Sequence, residues 1–142
     1  MIDSASLWTL FDYVDRRGRN AIKEWSGELE KKPLAKLHRK LEILESTGPD
    51  LAPGLLKGTR QRHVDKIKIE GRVSFALLVC RGPISMQEQM TLLLGAQESD
   101  RQLPPGTEDA AEGRRIEVSE SPIERRTLHE HVSWPSNERT TG

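Results

Sequence analysis

The chain predicts an α+β domain, a small, mainly antiparallel sheet in the order β-α-α-β-β-β-α with a helical hairpin packed on one face. Three observations predict it. Apolar residues recur at helical spacing in two successive stretches between residues 20 and 47. Three strand-like runs, VDKIKI, VSFALLVC and MTLLLGAQ, then follow one another between residues 64 and 97. A loop rich in proline and an Ala/Glu/Arg-rich helical segment come last. Runs of helix and strand in that grouping, rather than strict alternation, specify α+β layering.

Each element has a local reason. LWTLFDYV (7–14) is rich in aromatic and β-favouring residues and predicts the first strand, which RRGRN turns. From Asn20, AIKEWSGEL puts Ile22, Trp25 and Leu29 on one helical stripe. A second helix is expected to start at Pro33, where a missing N–H costs little, with Leu34, Leu37, Leu41 and Leu44 on one face until Gly48-Pro49 stops it. TGPDLAPGLLKGT (47–59) is dense in Gly and Pro and predicts an irregular loop. In VDKIKI (64–69) Val64, Lys66 and Lys68 fall on one face and Asp65, Ile67 and Ile69 on the other. Glu70-Gly71 predicts a tight hairpin turn, VSFALLVC (73–80) a central strand, and MTLLLGAQ (90–97) the next one. In QLPPGTEDAAEGRRIEV (102–118), Thr107 is the expected N-cap, and Glu108 and Asp109 suit the positive end of the helix dipole. Residues 1–118 then form one domain. Residues 119–142 are polar with poor periodicity and predict a flexible tail, in which Ile123, Thr127, Leu128, His131 and Trp134 could line one short amphipathic helix.

With 142 residues and a single cysteine, Cys80, the chain has the size for a real core and no route to an intrachain disulfide or cysteine-based zinc site. Cys80 ends an apolar strand and is expected to be a buried small hydrophobe; Trp8 and Trp25 are expected in the core. No window approaches a membrane span, and the first residues lack a secretory pattern, so a soluble, cytoplasmic protein is expected.

Lys plus Arg (22) equals Asp plus Glu (22), yet the charges are unevenly placed. Residues 1–97 hold 16 basic and 12 acidic side chains, and residues 98–142 hold 6 and 10. KGTRQRHVDKIKIEGR (57–72) alone carries six cations and two anions, enough for the whole excess of the first part. Local focusing of this kind attracts a polyanion even at zero net charge, although such a hairpin can equally be a solvated edge whose charges discourage pairing. Arg60, Arg62, Lys68 and Arg81 are the expected phosphate contacts, and these carry no sequence information. His63, the one histidine of the hairpin, is the candidate acid or base. His129 and His131 do not have the i, i+4 spacing of helical metal ligands, and no metal or small-molecule cofactor is expected.

The order and spacing of LHRKLEILESTGP, LLKGTRQRHVDKIKIEGRVSFALL and LLLGAQESD, followed by PPG and the last helix, resemble the RelE/ParE superfamily of bacterial toxins, specifically its phage-derived HigB-like branch. The resemblance covers roughly residues 7–118. It implies a RelE-like fold and the toxin of a type II toxin-antitoxin pair, with a cognate antitoxin as partner. It further implies a metal-independent endoribonuclease that cuts mRNA on the ribosome and so inhibits translation; ParE-like relatives act on DNA gyrase instead. Carried over by position, Lys57 matches the Lys of the L-K-G element, Lys66 a strand position where relatives have Arg, and Arg72 the Arg of the G-R turn. With His63, these are the expected catalytic residues. Phe75 and Ala76 stand where relatives supply another Arg, and Glu98 and Asp100 would repel a phosphate if they faced the site. These departures support a second expectation, a non-catalytic module of the same fold that binds a protein partner. A third, a nucleic-acid-binding module, has less support because no aromatic residue is interleaved with the hairpin's cations.

Overall fold

The computed structural model describes residues 7–51 and 54–130. Ten elements follow in order. They are β1 (Thr9–Tyr13), α1 (Ala21–Gly27), α2 (Lys31–Thr47), β2 (Lys57–Gly58), β3 (Asp65–Ile69), β4 (Ser74–Arg81), β5 (Gln89–Glu98), α3 (Thr107–Glu120), α4 (Pro122–Arg125) and β6 (Arg126–Leu128). The architecture is mixed α+β, with one six-stranded sheet in the order β2-β3-β4-β5-β1-β6. Every neighbouring pair is antiparallel except β1 and β5, which run parallel with Thr9 opposite Gln89.

The helical hairpin lies on one face of this sheet. Asn20 caps α1, its side-chain oxygen accepting from the N–H groups of Ile22 and Lys23, and so satisfies two of the orphan donors of a helix start. α2 begins two residues before the expected Pro33, which falls in its first turn, where a backbone N–H would have no intrahelical partner anyway. Leu37, Leu41 and Leu44 of α2 are fully buried, with Leu34 partly so, against Leu10, Ile67, Ile69, Leu77, Val79 and Leu92 of the sheet. Each such side chain contributes about 1.5–3 kcal/mol by burial, an upper estimate because the unfolded chain is not fully exposed. Trp25 packs flat against Gly95 of β5, where a Cβ would fall 2.0 Å from the indole ring. That glycine is a close-approach position rather than a turn.

A second core occupies the opposite face. Val64, Ala76, Leu78, Cys80 and Leu93 pack with Ala111 of α3, and Leu94 and Leu103 close the cluster. A bulge admits both leucines, because the register passes from Leu78 opposite Leu94 to Val79 opposite Leu92, leaving Leu93 as the extra residue. The alternation read in VDKIKI therefore holds, with Ile67 and Ile69 under the helical hairpin and Val64 on the α3 side. The sheet is thus covered on both faces.

Four local expectations are corrected. The β3–β4 connection spans residues 70–73, wider than a two-residue turn. Within the loop 47–59, residues Lys57–Gly58 pair with Lys66 and Asp65 as an edge strand. Gly106, at φ 86°, caps α3 in the left-handed region, while the Thr107 hydroxyl turns back to donate to the Pro104 carbonyl at 2.7 Å. Residues 119–130 are no free tail: α4 leads into β6, which extends the sheet along β1 with Phe11 opposite Leu128. Thr127 and Leu128 therefore lie on a strand, not on an amphipathic helix. His131 and Trp134 lie outside the described residues.

Candidate functional site

The basic segment folds into β2, the following turn and β3, but most of its charges are already answered. On β3, Lys66 and Lys68 share the face opposite Ile67 and Ile69, and both reach Glu98 at the end of β5. Lys66 Nζ donates to Glu98 Oε2 at 3.4 Å, and Lys68 Nζ lies 3.5 Å from Oε1. The Glu98 side chain is 1% exposed; the two lysines are 17% and 20% exposed. Lys68 also lies 3.9 Å from Glu70. Pairing explains why an acid tolerates this depth, since an isolated buried carboxylate is costly.

The sheet register builds this trio. Lys66 lies opposite Leu78 and Lys68 opposite Ala76 on β4, while Glu98 lies opposite Ser74 from the other side of β4. The small Ala76 leaves room for long side chains to cross the strand. Lys57 stands directly opposite Lys66 on β2 and is exposed. A depression of about 470 Å³ opens beside the trio, lined among others by Lys68, Arg72, Ser74, Glu98 and Arg101. The two-residue turn at Asp100 and Arg101, both in the left-handed region at φ 53° and 65°, presents Arg101 to this rim.

The other expected contacts are distributed differently. Arg60 is exposed and bound through Nε to Glu108 at the start of α3, at 2.9 Å. Arg81 holds Asp50 in the connection after α2 through both terminal nitrogens, and this contact lowers the Asp50 carboxyl below its usual range. Arg62 is exposed in the turn before β3. His63, also exposed, neighbours α3 rather than the trio: the Glu112 carboxyl is lowered first by its hydrogen bond with Arg115 and more weakly by the charge of His63. Among the described residues, Lys57, Arg62, His63 and Arg72 are the members of the expected set that make no ion pair.

Glu98 is the residue that sequence reasoning placed as a departure and that the structure puts at the centre. Its signal was an acid ending an otherwise apolar strand, read only for repulsion. His129 is held by Asp12: its Nδ1 lies 2.8 Å from Asp12 Oδ1, while Asn20 Nδ2 donates to Oδ2 at 2.9 Å. Cys80 is buried, and burial pushes its thiol up to about 12, so it is a packing group.

Chemically, the trio combines a carboxylate able to accept a proton with two ammonium groups able to donate one or to balance negative charge. Among the described residues, no three His, Cys, Asp or Glu side chains gather as a metal site, and no helix is long and apolar enough to cross a membrane. No family model matches the chain, and no curated protein does.

Proposed function

We propose that this chain is the toxin of a type II toxin-antitoxin pair, of RelE-like fold, and that it cleaves ribosome-bound mRNA without a metal ion. The observation carrying the reading is the Lys66–Glu98–Lys68 trio beside a depression rimmed by Arg72 and Arg101, with Lys57 across the edge. The arrangement of a meander of three strands, a first strand parallel to the last of them and a hairpin of helices on one face supports the same reading.

In this mechanism the ribose 2′-hydroxyl gives its proton to Glu98 while its oxygen attacks the adjacent phosphorus. The P–O5′ bond breaks, Lys66 protonates the departing 5′-oxygen, and a 2′,3′-cyclic phosphate remains. Lys68 and Arg72 balance the charge that grows on the non-bridging oxygens; one such preorganised donor is worth about 3–4 kcal/mol. Arg62 and Lys57 hold the flanking phosphates.

A second reading has its own observation. Arg60, Lys66, Lys68 and Arg81 are all engaged by carboxylates of the chain itself, which suits a non-catalytic module whose sheet face binds a protein partner. Primer-extension mapping on programmed ribosomes separates the two. The wild type should produce cuts within the decoding-site codon, and Lys66→Met and Glu98→Gln should each reduce them at least a hundredfold. Uncut mRNA with folded wild type refutes the nuclease.

A further inference from the structure

The turn after β1 carries a second concentration of cations, and it has no role in the site above. Residues 15–19 close on themselves: the Gly18 N–H donates to the Asp15 carbonyl and the Asp15 N–H to the Arg19 carbonyl, both at 2.9 Å. The Asp15 carboxylate accepts the backbone N–H groups of Arg17 at 2.8 Å and Arg19 at 2.9 Å. Those bonds, that of Arg19 above all, hold it below its usual pKa. The acid of this turn is therefore committed to the backbone. The side chains of Arg16, Arg17 and Arg19 are exposed, and those of Arg17 and Arg19 make no ion pair or hydrogen bond among the described residues.

Two other segments bring arginines to the same place. The Val14 N–H donates to the Arg125 carbonyl at 2.8 Å, bringing α4 alongside. Arg114 of α3 lies over the Tyr13 ring at 4.5 Å and donates to the Leu93 carbonyl at 2.8 Å, whereas Arg126 of β6 lies over the Phe11 ring at 3.7 Å and points away from the turn, donating to Gln89 Oε1 beside the start of β1. The acids at this end, besides Asp15, are Glu117, which accepts from the Tyr13 hydroxyl and lies 3.8 Å from Arg16, Glu124, and the buried Asp12, which accepts from Asn20. Five guanidinium groups thus stand with four carboxylates, of which Asp12 is buried and Asp15 is turned into the loop. This end lies on the β1 side of the sheet, three strand spacings or about 14 Å from β3.

We infer that this arginine end binds the phosphate backbone of a nucleic-acid duplex, at a surface separate from the lysine trio and independent of cleavage. Every cation here is arginine, whose planar fork meets phosphate oxygens in pairs. Both nearby aromatic rings are covered by guanidinium groups, so unpaired bases find no platform for stacking. The three Arg residues of the turn project from a rigid loop tied by four hydrogen bonds, which suits a backbone of fixed phosphate spacing better than a flexible acidic peptide.

The test is fluorescence anisotropy of a short labelled duplex, in RNA and DNA versions of one sequence, across a salt series. The Arg17→Ser/Arg19→Ser protein should fold as the wild type does, because the fold uses the backbone of these residues and not their side chains. It should bind at least one of the duplexes about tenfold more weakly or worse, and the slope of log K against log salt should fall by about 1.8, the value for two lost phosphate contacts. The two arms identify the duplex. An unchanged affinity and slope in both arms overturns the inference, as does displacement of duplex by polyglutamate at equal charge concentration. Cleavage on ribosomes is read separately, so loss of the nuclease reading leaves this result standing.

Discussion

Replacing Glu98 by Gln keeps its shape and removes its charge, leaving the Lys66 and Lys68 ammonium groups without their shared anion and only the exposed Glu70 at 3.9 Å from Lys68. Glu98 lies 3.4 Å from one and 3.5 Å from the other, and its own side chain is 1% exposed. Breaking a buried ion pair by removing one partner costs about 3–5 kcal/mol. The lysines are 17% and 20% exposed and recover some hydration, so a loss of about 2–3 kcal/mol is expected. With a urea m value of about 1–3 kcal/mol/M for small domains, the unfolding midpoint should drop by about 0.7–3 M. Tryptophan fluorescence during urea titration measures it. The same substitution placed in a Lys66→Met/Lys68→Met background should be neutral or stabilising, because there it removes an uncompensated buried carboxylate. Equal losses in both backgrounds would refute the charge argument, whatever happens to activity.

Gly95→Ala should destabilise by about 1–3 kcal/mol, since the added Cβ meets the Trp25 ring at 2.0 Å and the core must shift; combining it with Trp25→Leu should recover most of that loss in a thermal melt. The native Cys80 thiol, raised to about 12 by burial, should resist iodoacetamide at mildly alkaline pH and react fully once the chain is unfolded. Tyr13, the single tyrosine, has its phenol raised to about 12 by burial first and by its bond to Glu117 second. The fold favours the neutral phenol, so this contribution is whole below pH 10 and lost as pH rises toward 12. The ultraviolet signal of phenolate should therefore appear near pH 12 in the native protein and near pH 10 in urea.

The elements legible in the sequence are those whose reason is local. Leu37, Leu41 and Leu44 recur at helical spacing and are buried where that spacing put them, and the alternation of VDKIKI sorted Ile67 and Ile69 from Val64 correctly. What stayed hidden depends on partners far along the chain. Lys66 and Glu98 are 32 residues apart, and no local pattern announces that a strand-end acid will cross β4 to meet two lysines. β6 is equally silent. Arg126 is half-buried, Thr127 and Leu128 are exposed, and no apolar stripe runs through them; they hold their place through pairing with β1, the His129 N–H donating to the Leu10 carbonyl, and the contact of the His129 ring with buried Asp12. α3 showed its capping acids, but its burial rests on Thr107, Ala111 and Val118, too few to reveal which face of the sheet it would cover.

The positive excess of residues 57–72 therefore has two physical uses, and they compete. Arg60 ties the β2–β3 turn to α3, and Lys66 and Lys68 tie β3 to the far end of β5; just beyond the segment, Arg81 ties β4 to the connection after α2. Each pair joins elements that are distant in sequence, so these cations help set the register of the edge strands, where backbone pairing alone is short. A cation held this way reaches a ligand only by giving up its carboxylate or by bringing it along. For the exposed Arg60–Glu108 and Arg81–Asp50 pairs the exchange is cheap, because surface ion pairs contribute about 0–1 kcal/mol. For the Lys66–Glu98–Lys68 trio it is not, and a ligand there meets a fixed constellation of one carboxylate and two ammonium groups. That asymmetry makes the trio the part of the segment suited to chemistry, and leaves attraction over distance to Lys57, Arg62 and Arg72, whose charges are already in solvent.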